Sequence, residues 1–240
     1  MIIHKITAKA IDMLFPRRCP VCFDIVQPSG YLICPDCLLK LSPIKKPSCK
    51  KCSKEVIHER IEYCLDCTRH PRSFEYNLSV FRYNHYASLS MSAIKYKNKR
   101  EFLDFYIEAT WHYLGSRCLH INPDLIIPVP VHVSRKRTRG FNQAELLAKG
   151  IAEHLQVPIC KTALIRKKRT TPQKELDPSG RLKNLEQAFA PGNIPPGIKK
   201  VLLVDDIYTT GSTLEACTRI LNDMGINKVY TLTLFIGSGA

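Results

Sequence analysis

Apolar residues fall along this chain in two alternating rhythms, short continuous runs and helical spacings. Val201-Leu202-Leu203-Val204 is a branched apolar run that reads as a strand buried on both faces, the usual state in a parallel sheet. Behind it, Leu214 to Gly225 has helical character. Asp124 to Val131 (DLIIPVPV) is a second buried strand, cut off by Pro128 and Pro130, because proline cannot donate to a sheet ladder. A helical stretch then runs to Gln156, and Val229 to Ile236 supplies a last strand. Upstream, the alternation of Phe74, Tyr76, Leu78 and Val80 predicts a strand leading into the same unit. Tyr86 to Gly115 reads as two helices, interrupted by the basic run Lys95 to Arg100; Trp111 shares apolar spacing with Phe105 and Leu114 and is assigned to the core. Leu164 to Arg169 begins as a strand and ends in a basic cluster. Buried strands alternating with helices predict an α/β fold, a parallel sheet with flanking helices.

The amino-terminal third follows a different rule. Cys19-x-x-Cys22, Cys34-x-x-Cys37, Cys49-x-x-Cys52 and Cys64-x-x-Cys67 repeat with a strict period of 15. Each pair presents two sulfurs from one tight knuckle, and tetrahedral zinc needs two such pairs. Eight cysteines therefore match two structural zinc ions of four thiolates each. Short loops favour sequential pairing (first with second, third with fourth), with cross-bracing as the alternative. A small Cys-rich zinc-ribbon domain over 1–73 thus precedes an α/β domain over 74–240. Cys118, Cys160 and Cys217 have no such partners and read as buried reduced thiols.

Met1 to Phe15 carries Ile2, Ile3, Ile6, Ala10, Met13 and Leu14 at helical spacing, without the continuous apolar core of a signal peptide. No apolar run approaches the ~18 residues of a membrane span, and a cytoplasmic protein is expected. The formal charge is +15. Eight thiolates would subtract eight charges and two zinc ions return four, leaving +11, which still points to polyanionic partners. Lys40, Lys45, Lys46, Lys50, Lys51 and Lys54 crowd the ribbon region, with no acid between the first and last. Tyr96 lies among the cations of the Lys95–Arg100 run, where it would stack on a base or pack as a half-buried helix end.

Asp205 and Asp206 stand where the Val201–Val204 strand should emerge at its carboxyl end, the edge at which open α/β sheets bind ligands. Thr209, Thr210, Gly211, Ser212 and Thr213 follow as a short polar loop before a helix. Gly211 lets backbone amides approach an anion, and the helix N-terminus favours phosphate. A phosphate in the loop and a vicinal diol on the acids together describe a 5-phosphoribosyl group. After the second strand, Arg135, Arg137 and Arg139 form a basic loop placed to meet the diphosphate half of such a ligand, or nucleic acid.

Over thirteen ungapped positions, Val201 to Thr213, the chain resembles the type I phosphoribosyltransferases, whose signature is four apolar residues, two acids, a spacer and TTGxT. That resemblance implies a catalytic role for Asp205 and Asp206 at the ribose hydroxyls, a 5-phosphate on Thr209 to Thr213, and Mg2+ arriving with 5-phosphoribosyl diphosphate (PRPP). It also implies that the turn-rich stretch Thr170 to Gly180, with Arg181 and Asn184 beyond it, is a lid. The wording PVP…RxRGFNQAELLA, joined to the four CxxC pairs, is similar to the ComF/GntX family of competence proteins across essentially the whole chain. Family resemblance implies a role in natural transformation, handling internalised single-stranded DNA beside a helicase-like competence protein. An active phosphoribosyltransferase with an unidentified acceptor, and a PRPP-sensing regulator, remain the alternatives. With no Gly-Lys dipeptide the chain has no Walker A loop and is not itself a P-loop motor.

Overall fold

The computed structural model describes residues 16–167 and 187–237. The helix expected over 1–15 and the lid expected over 170–184 lie outside the described residues.

Four parallel strands build the central sheet in the order β1 (Asn77–Arg82), β6 (Lys228–Ile236), β5 (Lys200–Tyr208), β2 (Leu125–Pro128). Side chains alternate between the faces of a strand, and here the alternation sorts two cores. Ile126, Leu202 and Val204 join one cluster, while Leu125, Ile127, Val201 and Leu203 join the other. The first face is covered by α3 (His85–Tyr96), α4 (Phe102–Ile121) and α6 (Gln143–Leu155). The second carries α7 (Ser212–Asp223) and an antiparallel ribbon of β3 (Leu164–Arg166) and β4 (Phe189–Pro191). Both faces being dry, β5 needs an unbroken apolar run. Truncating Leu203 to alanine would cost about 2–5 kcal/mol.

The cysteine-rich region is a tandem repeat with an offset of 30 residues. Cys19 N donates to Asp24 O and Phe23 N to Cys19 O; Cys49 N donates to Lys54 O and Ser53 N to Cys49 O. The short bridges Arg18–Ile25 and Ser48–Glu55 keep the same offset. Phe23 and Ser53 both take the left-handed conformation that closes the knuckle, at φ 67° and 71°. Each unit ends in a short helix, α1 (Pro35–Lys40) or α2 (Leu65–Arg69), entered from Cys34 or Cys64.

The two units straddle the β1 edge of the sheet. Cys19, Val21, Val26 and Leu41 of the first share a core with α3, α4 and α6; Cys49, Cys52 and Cys67 of the second share one with Phe74, Tyr208 and α7. Their connector lies antiparallel on β1, with Ile44 N donating to Val80 O and Arg82 N to Ser42 O. At the opposite edge, Ile126 N donates to Pro158 O and Cys160 N to Ile126 O. Both sheet edges are thereby paired rather than left open to association.

Two expectations change. Residues 135–139 are helical rather than a loop: α5 (Val133–Arg139) is capped by the His132 ring, which accepts from Ser134 N, and is stopped by Gly140 at φ 76°. Trp111 is only half-buried, its ring stacked on His154 at 4.7 Å and 8°, so it seals α4 against α6 from outside. Cys118, Cys160 and Cys217 are buried as expected. No helix among the described residues is long and apolar enough to cross a membrane.

Candidate functional site

The acid pair stands at the carboxyl end of β5. Asp206 is 7% exposed and is ion-paired with the Lys95 ammonium at the end of α3. It also accepts from Gln143 Nε2, at Oδ1, at 3.3 Å. Asp206 N donates to Asp205 Oδ1 at 2.8 Å, and Asp205 keeps part of its surface open. Burial, followed by the neighbouring Asp206 charge, pushes the Asp205 carboxyl well above its ordinary range. Burial acts against ionised Asp206 too, but Lys95, Asp205 and Gln143 outweigh it and hold that carboxyl below its ordinary value. The pair therefore splits, one carboxylate firmly ionised and one poised to hold a proton.

Gln143 reaches this point because the RGFNQ segment is pinned residue by residue. Gly140 ends α5, Phe141 is buried beneath the Arg100 guanidinium at 4.5 Å, and Asn142 caps α6 while donating to Val129 O at 2.9 Å. The spacing of this segment thus encodes the docking of α5 and α6 at the end of β2.

Beyond the acids the chain turns through Thr209 to Gly211 into α7. Gly211 sits at φ 75°, and a Cβ there would come within 2.3 Å of Tyr208 Oη, so the turn admits no side chain. Among the described residues, no acceptor takes the amide hydrogens of Thr209, Thr210, Gly211 or Ser212. Buried Tyr208 Oη likewise has no partner there. Unclaimed donors beside a helix N-terminus form a cradle with the chemistry to take an anion. Thr210 Oγ1 and Ser212 Oγ lie 2.9 Å apart and bond each other.

A cavity of about 570 Å³ lies here, lined by Asp205, Asp206, Thr209 and Thr213 together with Lys95, Arg135, Arg139 and Arg166. An adjoining cleft of about 380 Å³ shares Lys95, Tyr96, Arg135 and Arg139 and adds Asn98 and Thr138. Tyr96 is 73% exposed, with the Arg139 guanidinium over its ring at 5.0 Å. Of the residues expected from sequence, Arg137, Thr210, Gly211 and Ser212 do not line the larger cavity, while both acids, Thr209, Thr213, Arg135 and Arg139 do. Sequence reading missed the roles of Lys95, Gln143 and Arg166. Only the basic run at 95–100 hinted at the first.

The sulfurs of Cys19, Cys22, Cys34 and Cys37 lie within 4.8 Å of one another, and so do those of Cys49, Cys52, Cys64 and Cys67. Sequential pairing is therefore the arrangement adopted, and cross-bracing is excluded. Four thiolates at that spacing fit a tetrahedral ion with Zn–S distances of about 2.3 Å and leave no open position. These are two structural zinc sites.

A family model described as a double zinc ribbon domain matches residues 10–68, and one described as a phosphoribosyl transferase domain matches residues 141–238. The chain is 28% identical over 227 residues to competence protein F of Haemophilus influenzae, covering 90% of this chain and 95% of that one. It is 27% identical over 239 residues to competence protein ComFC of Bacillus subtilis, covering 93% and 91%. The DNA utilization protein YhgH of Escherichia coli K12 is 26% identical over 226 residues, covering 91% and 96%.

Proposed function

We propose that this chain, a relative of competence protein F and ComFC along nine-tenths of its length, serves natural transformation by handling incoming single-stranded DNA in the cytoplasm around a PRPP or phosphate site. The observation that carries the reading is the cavity at the end of β5, lined by the acid pair, by Thr209 at the start of the unclaimed amide cradle, and by Lys95, Arg135, Arg139 and Arg166. The cradle suits a phosphate, and the partly open Asp205 suits a ribose hydroxyl or the Mg2+ that accompanies a diphosphate.

The polynucleotide path runs from that cavity through the adjoining cleft, past Tyr96 and Arg139. An exposed aromatic flanked by cations takes an unstacked base on its face and the backbone on its rim, which favours single strands over duplex. The ribbon lysines Lys40, Lys45, Lys46, Lys50, Lys51 and Lys54 add further cations that a polyanion would meet. A helicase-like protein of the transformation machinery is the partner this role requires.

Oligonucleotide binding measured against salt tests the reading. Each phosphate neutralised on a single strand contributes about 0.7 to the slope of log K against log salt. A steep slope that becomes shallower in Arg135→Ala, and weaker binding in Tyr96→Ala, is the expected result. Salt-insensitive or absent binding would count decisively against it.

One observation favours turnover as a second reading. The cations that would bind a diphosphate line the same cavity as the acids, where they would also stabilise it as a leaving group. Release of diphosphate from PRPP, lost in Asp205→Asn with Asp206→Asn, would support transfer. Tight PRPP binding without release would support a sensor.

A further inference from the structure

We infer that Arg72, held by the second zinc unit, is a positioning residue for the phosphate loop, so that ligand binding at the end of β5 depends on the integrity of that unit. The inference rests on reading Thr209–Thr213 as a phosphate cradle.

Three consecutive residues, Arg72 to Phe74, follow the second unit and engage the loop, the helix behind it and the end of β5 in turn. The Arg72 side chain is 7% exposed. Its Nη2 donates to Thr210 O at 2.8 Å and to Asp66 Oδ2 at 3.1 Å. Asp66 lies in α2, one residue from the zinc ligand Cys67. Ser73 N and Oγ donate to the two carboxylate oxygens of Glu215 at 2.8 and 2.7 Å, and Glu215, in the first turn of α7, is 1% exposed. Phe74 meets Tyr208 edge-on at 6.5 Å, and Tyr208 is the wall against which Gly211 is pressed.

The Arg72 contact has a geometric consequence. A trans peptide points its carbonyl and its N–H in opposite directions. Fixing Thr210 O toward Arg72 therefore turns the Gly211 N–H away from the zinc unit, as an amide cradle requires. Neither Asp66 nor Arg72 touches the proposed ligand; both act through one peptide plane. When zinc holds Cys64 and Cys67, α2 is fixed, Asp66 orients Arg72, and Arg72 sets the loop. Slackening of α2 removes the orientation and leaves a buried cation to seek another acceptor.

Hydrogen–deuterium exchange of the zinc-loaded full chain tests this without relying on any ligand. The amide of Glu215, which reports on the loop by donating to Gly211 O at 2.9 Å, should exchange about tenfold faster in Arg72→Ala, the loss expected for one hydrogen bond from a charged donor, while β5 and β6 keep their protection. Arg72→Lys, which restores a single donor, should recover part of the effect. Cys64→Ser should reproduce the loop effect with first-site zinc retained. Unchanged exchange at Glu215 in Arg72→Ala would overturn the inference, and so would an increase spread evenly over β5 and β6. PRPP affinity with Mg2+ should fall about tenfold in Arg72→Ala. If the wild type binds no PRPP, the phosphate reading fails while exchange still decides the role of Arg72.

Discussion

The Lys95 ammonium at the end of α3 is ion-paired with Asp206 at the end of β5, inside a cavity that both line. A residue from the helix layer thus neutralises one of the two acids in the strand–loop motif. Their pairing is what allows two adjacent carboxylates to coexist here, because it keeps Asp206 charged while the Asp205 carboxyl is pushed up by burial and by its neighbour's charge.

Lys95→Met should therefore strand a buried carboxylate. Removing one partner of a buried pair costs on the order of 3 kcal/mol. Asp206 is held below its ordinary value, so the pair stabilises the fold above about pH 4, and the benefit is lost as pH falls through the lowered value. Urea unfolding at pH 7 should show the loss in Lys95→Met, and unfolding near pH 3 should show it shrinking. Adding Asp206→Asn to Lys95→Met should recover part of it.

Asp205→Asn should do the opposite for stability. A carboxyl raised in the folded state opposes folding as pH rises from its unfolded value, about 3.9, through the raised folded one. The asparagine variant should melt higher than wild type at neutral pH, with the gain fading as pH drops below about 4. The same variant should lose affinity for PRPP. Gain in stability with loss of binding is the pattern expected where function keeps a destabilising group.

Gly211→Ala tests the cradle. The added methyl would require φ 75° of an L-residue and would collide with the Tyr208 side chain. A cost of about 1–3 kcal/mol is expected from the backbone alone, and the turn must move to relieve the contact. Thermal melting should fall modestly, while binding of inorganic phosphate should be lost outright.

Zinc content should be two ions per chain by elemental analysis. Structural zinc supplies about 10–16 kcal/mol of apparent binding free energy in small domains, as much as the about 5–15 kcal/mol that stabilises a typical fold. Because cysteines of each unit are built into a core shared with the sheet, Cys37→Ser or Cys52→Ser should lower a single calorimetric transition for the whole chain. A separate low-temperature transition with an unchanged main peak would contradict that coupling.

What the sequence disclosed was what lies contiguous in it. Val201 to Thr213 places strand, acids, turn and helix start in one unbroken stretch, so local rules sufficed. The period of the CxxC pairs likewise announced the metal units, although their pairing needed coordinates. Lys95, Gln143 and Arg72 were not legible in their roles, because each meets its partner from a distant element and nothing in local pattern ties them together. Residues 135–139 look like a loop in the sequence because an all-polar turn of helix has no apolar periodicity; its caps, His132 and Gly140, are the available signal. Trp111 misled because spacing marks a face without saying whether the next helix covers it fully.

Calorimetric titration of PRPP with Mg2+ into the zinc-loaded chain bears most directly on the central claim, that the β5 carboxyl end is a sugar-phosphate site. Saturable binding at one site per chain, abolished by Asp205→Asn with Asp206→Asn and by Gly211→Ala, is the predicted result. Absence of binding to the folded wild type, or binding indifferent to all three substitutions, would contradict it.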